Sequence, residues 1–94
     1  MSDVMQQLEA VLTERKNWSP DKSYTARLLA AGQDEIVKKI GEEAIEVILA
    51  AKGQGDARVV EESADLVYHL LVLLLARGLS WAEVEDELAR RMAP

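Results

Sequence analysis

The stretch KKIGEEAIEVILAAKGQGDARVVEESADLVYHLLVLLLA, Lys38–Ala76, consists of two apolar-periodic segments joined at Gly53-Gln54-Gly55. On the first, extended back by two residues, Ile36, Val37, Ile40, Ala44, Val47, Ile48 and Ala51 recur at three- and four-residue intervals, the period of one helical face. That spacing predicts a helix over about 34–52. The second segment predicts a helix over about 57–77, stopped by Gly78. So short a connection folds the two helices back on each other as an antiparallel hairpin.

Working outward, Val4, Leu8, Val11 and Leu12 share one stripe and predict a first helix over 3–15, capped by Ser2 or Asp3. KNWSPDK, 16–22, reads as a loop broken by Pro20. A short second helix is expected over about 23–31, from Ser23 to the residue before Gly32. Ser80-Trp81-Ala82-Glu83 has the spacing of a capping box and opens a last helix over 81–92. No segment reads as a strand, a repeat or a low-complexity tract. The expectation is an all-α fold, one domain over residues 1–94, built as a helical hairpin with flanking helices.

Composition narrows the function classes. Ninety-four residues suffice for one hydrophobic core and no second. A 49% hydrophobic, 30% charged chain suits a folded soluble domain. The absence of cysteine removes thiolate nucleophiles, disulfides and Cys-bound zinc, and suits a reducing, cytoplasmic setting. A net charge of −6, with no Phe, two Trp and two Tyr, argues against a nucleic-acid surface. Residues 4–12 are interrupted by Gln6, Gln7 and Glu9, unlike a secretory signal. The apolar run Leu66–Ala76 contains His69 and is too short to span a bilayer.

The same run is apolar on nearly every side, and a five-helix monomer covers such a helix poorly. Each fully buried Leu is worth about 1.5–3 kcal/mol, so several left exposed would be costly. The expectation is a homo-oligomer, most simply a two-fold dimer that completes the bundle. The other reading is a central core helix within a monomer.

Five of the seventeen acids, Glu42, Glu43, Glu46, Glu62 and Asp65, account for most of the net charge. Glu43 and Glu46 share a helical face, as do Glu62 and Asp65, each pair three residues apart. Glu46 and Glu62 lie at similar distances on either side of the turn. The hairpin therefore sets the two pairs level, to within about one 5.4 Å helical turn. Four converging carboxylates repel unless compensated. A hard dication that takes oxygen ligands, Mg²⁺ or Mn²⁺, is the simplest compensator, and Mg²⁺ commonly shares its shell with phosphate oxygens. The competing reading is a solvated acidic face neutralised by Lys38, Lys39 and Arg58. Glu42 and Glu61 are weaker candidates. His69, four residues beyond Asp65, reads either as a satisfied core histidine or as a group that supports the acids or touches substrate. Lys39, four residues before Glu43, reads as a phosphate contact or a helix salt bridge. Lys52 and Arg27 are lesser substrate-binding candidates. No P-loop, Rossmann glycine motif or Ser–His–Asp arrangement is evident.

Glu42-Glu43-x-x-Glu46, fifteen residues, then Glu62-x-x-Asp65 resembles the EExxE…ExxD signature of the MazG-like all-α nucleotide pyrophosphatases. SYTARLLAAG (23–32), KKIGEEAIEVILAAK (38–52) and EESADLVYHLLVLL (61–74) are more specifically similar to the phosphoribosyl-ATP pyrophosphohydrolase family of histidine biosynthesis, over about residues 20–92. The resemblance implies Mg²⁺-dependent hydrolysis of phosphoribosyl-ATP to phosphoribosyl-AMP and pyrophosphate. It also implies a dimer, with Glu43, Glu46, Glu62 and Asp65 as metal ligands. Glu43 or Glu46 would orient or deprotonate the attacking water; the two are not distinguished. One alternative is a house-cleaning hydrolase of free or damaged (deoxy)nucleoside triphosphates. The other is a helical dimerisation module whose acids are only surface.

Overall fold

The computed structural model describes residues 3–94, and every regular element among them is helical. The order is α1 Asp3–Arg15, α2 Tyr24–Ala31, α3 Gln33–Gly53, α4 Asp56–Ala76 and α5 Trp81–Met92. Ser2 lies outside the described residues, and with it the expected cap of α1; Asp3 is already helical.

The caps follow local chemistry. Ser23 stays extended and its Oγ accepts from the Ala26 N–H at 3.2 Å, so α2 begins one residue after it. Gly32, at φ 102°, lets the chain leave α2 and enter α3 without a linker. At α5 the capping box forms as spaced: Ser80 Oγ accepts from the Glu83 N–H at 3.3 Å, while a Glu83 carboxylate oxygen accepts from the Ser80 N–H at 2.8 Å.

α3 and α4 pack along their lengths as the expected hairpin, and α2 lies across both. Leu12, Leu28, Ile36, Leu71 and Val72 form the buried core, so α1, α2, α3 and α4 all feed one centre. Met5, Leu8, Ile40, Tyr68 and Trp81 pack against it. The Trp81 backbone N–H donates to a Glu9 carboxylate oxygen at 2.7 Å, which fastens the start of α5 to α1.

The face of α3 differs from the expected one. Val37, Ile48 and Ala51 are exposed, with Ile48 at 57%. Ile36 and Ala50 are buried, and Ile40, Glu43, Ala44, Glu46 and Val47 lie half-buried between them. α3 carries apolar residues on two sides, so periodicity located a stripe without choosing which side meets α4. Ala50 takes the inner position because a small side chain lets two helices approach closely. The apolar run of α4 is better covered than expected: Leu71 and Val72 are buried and Leu66, Val67, Leu70, Leu73, Leu74 and Leu75 half-buried. The uncovered apolar surface of the hairpin is instead Val37, Ile45, Ile48 and Leu49 on α3 and Val60 on α4.

Candidate metal centre

The inner face of α3 that carries Ile36, Ile40 and Val47 also carries Glu43 and Glu46 towards α4. Glu43, Glu62 and Asp65 each offer an oxygen, and all three oxygens lie within 4.8 Å of one another. Glu62 is buried (6% exposed), Glu43 half-buried and Asp65 exposed, so the cluster has a closed end and an open one. Glu46 falls outside that tight set. It is nevertheless near enough to act on Glu62.

Burial first, and then the charges of Asp65, Glu43 and Glu46, push the Glu62 carboxyl above its ordinary value. Arg58, four residues earlier on α4, pulls in the other direction. Its guanidinium pairs with both Glu61 and Glu62. The i,i+4 spacing of Arg58 and Glu62 is legible in the sequence, but by itself it indicates only a neutralised acidic surface, not a pair reaching a buried carboxylate. Lys39 bridges Glu42 at 3.1 Å and Glu43 at 3.8 Å. The hydrogen bond to Glu42 is the main cause that raises the Lys39 pKa.

A donor set of carboxylate oxygens alone, spread over two helices, fits a hard dication. Three such oxygens within 4.8 Å of one another are close enough that small side-chain adjustments would bring them onto one ion of that kind. Lacking nitrogen and sulfur donors, these three residues suit Mg²⁺ or Mn²⁺ better than Zn²⁺ or Cu²⁺.

His69 lies one turn beyond Asp65 and is 5% exposed. Its Nδ1 is 2.7 Å from the Asp65 backbone oxygen, which only accepts, so Nδ1 carries a proton. Its Nε2 shares a hydrogen bond with the Tyr24 hydroxyl, 2.9 Å away. The Thr25 and Tyr68 hydroxyls share a second hydrogen bond between α2 and α4. The SYT segment thus has three local tasks: Ser23 caps α2, and Tyr24 and Thr25 fasten it to α4 beside the acids. Burial chiefly raises the Tyr24 pKa, with Lys39 opposing. Arg27 is exposed, its guanidinium 5.7 Å from the Tyr24 ring centroid and donating to the Pro20 oxygen at 3.0 Å. Lys52 is exposed in the last turn of α3, by the hairpin loop.

Residues 5–92 match the family described as phosphoribosyl-ATP pyrophosphohydrolase. The chain belongs to that family. Among similar proteins, a phosphoribosyl-ATP pyrophosphatase of Metallosphaera sedula is 49% identical, covering 98% of this chain and 99% of its own. One from Pelotomaculum thermopropionicum is 54% identical over 95% of this chain and 91% of its own. One from Pyrobaculum aerophilum is 53% identical over 95% of each. The match therefore takes in all five helices, not the acidic motif alone.

Proposed function

We propose that this protein is the hydrolase of histidine biosynthesis that converts phosphoribosyl-ATP to phosphoribosyl-AMP and pyrophosphate. Family membership across residues 5–92 supports the substrate. The observation that carries the chemistry is the convergence of Glu43, Glu62 and Asp65 from two helices within 4.8 Å.

In this reading Glu43, Glu46, Glu62 and Asp65 hold Mg²⁺, with Mn²⁺ as a substitute. The bound ion would neutralise triphosphate oxygens and polarise the phosphorus under attack. Glu43 or Glu46 orients the attacking water and accepts its proton, both being half-buried. Lys39 exchanges part of its pairing with Glu42 and Glu43 for a substrate phosphate oxygen, and Arg27 and Lys52 add positive charge at the rim. His69, held between the Asp65 backbone oxygen and the Tyr24 hydroxyl, keeps α2 in register with the acids and lines the substrate side. Two copies join through Val37, Ile45, Ile48, Leu49 and Val60. No described helix is long and apolar enough to cross a membrane, and the cysteine-free composition suits the cytoplasm.

The test is pyrophosphate release from phosphoribosyl-ATP, with Mg²⁺ and with chelator, beside a panel of (deoxy)nucleoside triphosphates. The reading requires metal-dependent release with clear preference for phosphoribosyl-ATP. Equal or better turnover of the free triphosphates would replace it with the house-cleaning alternative.

A further inference from the structure

Arg58 stands where the acids of the hairpin most need positive charge. Glu62 is the most buried of the clustered carboxylates, its side chain 8% exposed, and three other acids raise the cost of its charge. Arg58 is 46% exposed and reaches down one helical turn to pair with it. Glu61 takes another nitrogen of the same guanidinium at the surface. The arginine thus has a solvent-side partner to which it retreats without unfolding anything. Glu62 has no comparable freedom, because its side chain is buried.

We infer that Arg58 is a built-in counter-ion that occupies the Glu62 side of the metal centre and competes with the dication for it. The inference rests on the reading of Glu43, Glu62 and Asp65 as metal ligands. A divalent ion among these oxygens would supply the positive charge that Arg58 supplies without it. It would also repel the guanidinium, since two cations would then face one carboxylate. Arg58 would turn to Glu61 and solvent, at little cost for an exposed arginine. The arrangement holds Glu62 in place before the metal arrives, and exacts some metal affinity in return. If instead Arg58 held one Glu62 oxygen while the other bound metal, it would orient the ligand, and its loss would weaken binding.

The deciding experiment measures Mn²⁺ affinity of the substrate-free protein from the electron paramagnetic resonance signal of free Mn²⁺. It compares wild type, Arg58→Gln, Arg58→Lys and Arg90→Gln. Arg90→Gln is the charge control, since Arg90 pairs with Glu87 on α5. Competition predicts about three- to tenfold tighter Mn²⁺ binding in Arg58→Gln, from the loss of a part-screened charge contact, with Arg58→Lys and Arg90→Gln near wild type. Under chelation Arg58→Gln should melt below wild type, because Glu62 loses its partner, and saturating Mn²⁺ should close that gap. Unchanged or weaker affinity in Arg58→Gln, with wild type binding normally, overturns this inference and leaves the metal centre standing. Wild type that binds no Mn²⁺ overturns both.

Discussion

Glu62 and Glu87 show how environment separates two residues of one type. Arg90 and then Arg91 hold Glu87 below the ordinary glutamate value. Burial and neighbouring acids hold Glu62 above it. A raised folded-state pKa means that the native protein keeps a proton the unfolded chain has lost. For metal-free protein, Glu62's contribution is therefore full below the ordinary glutamate value and falls as pH rises through its raised value. Glu62→Gln should accordingly flatten the pH dependence of metal-free melting at the low-pH end and raise the melting temperature at neutral pH. The same substitution should abolish stabilisation by Mg²⁺. Glu46→Gln should lower turnover by orders of magnitude while circular dichroism stays native; near-native activity would remove Glu46 from the catalytic set. Tyr24→Phe deletes one side-chain hydrogen bond and should cost about 1 kcal/mol in urea unfolding. The spacing of the acids and the approach of Glu43, Glu62 and Asp65 could be read from the chain; that Glu46 lies outside their tight set could not. The pairing of His69 could not, because it depends on α2 lying across α4.

Elements were legible to the extent that their signals are local. Ser23, Gly32, Gly55 and the Ser80–Glu83 box set helix ends through contacts a few residues long, and the observed ends fall within a residue or so of those expected. Which face of α3 turns inward is not local. Ile36, Ile40 and Val47 make one apolar side, and Val37, Ile45 and Ile48 make another. Only the partner helix distinguishes them. Leu71, 2% exposed in the core, should cost about 2–5 kcal/mol when cut to Ala, measured by chemical denaturation. Ser80→Ala should cost about 0.5–2 kcal/mol, since it removes half of a capping box.

For the whole molecule, the hairpin has two sides of different chemistry. Its inner groove gathers the acids, and its outer α3 side leaves Ile45 and Ile48 more than half exposed. That second surface is what a partner copy would cover in the proposed dimer. Light scattering after size exclusion should give twice the chain mass, and Ile45→Asp with Ile48→Asp should halve it. A monomeric wild type would withdraw the dimer without touching the metal centre. The measurement that bears most directly on that centre is anomalous scattering from a crystal grown with Mn²⁺. The account predicts a peak bonded to oxygens of Glu43, Glu62 and Asp65, with Glu46 in the same shell. A manganese-grown crystal with no peak there, Glu62 still closed on Arg58 and Glu43 on Lys39, would contradict it.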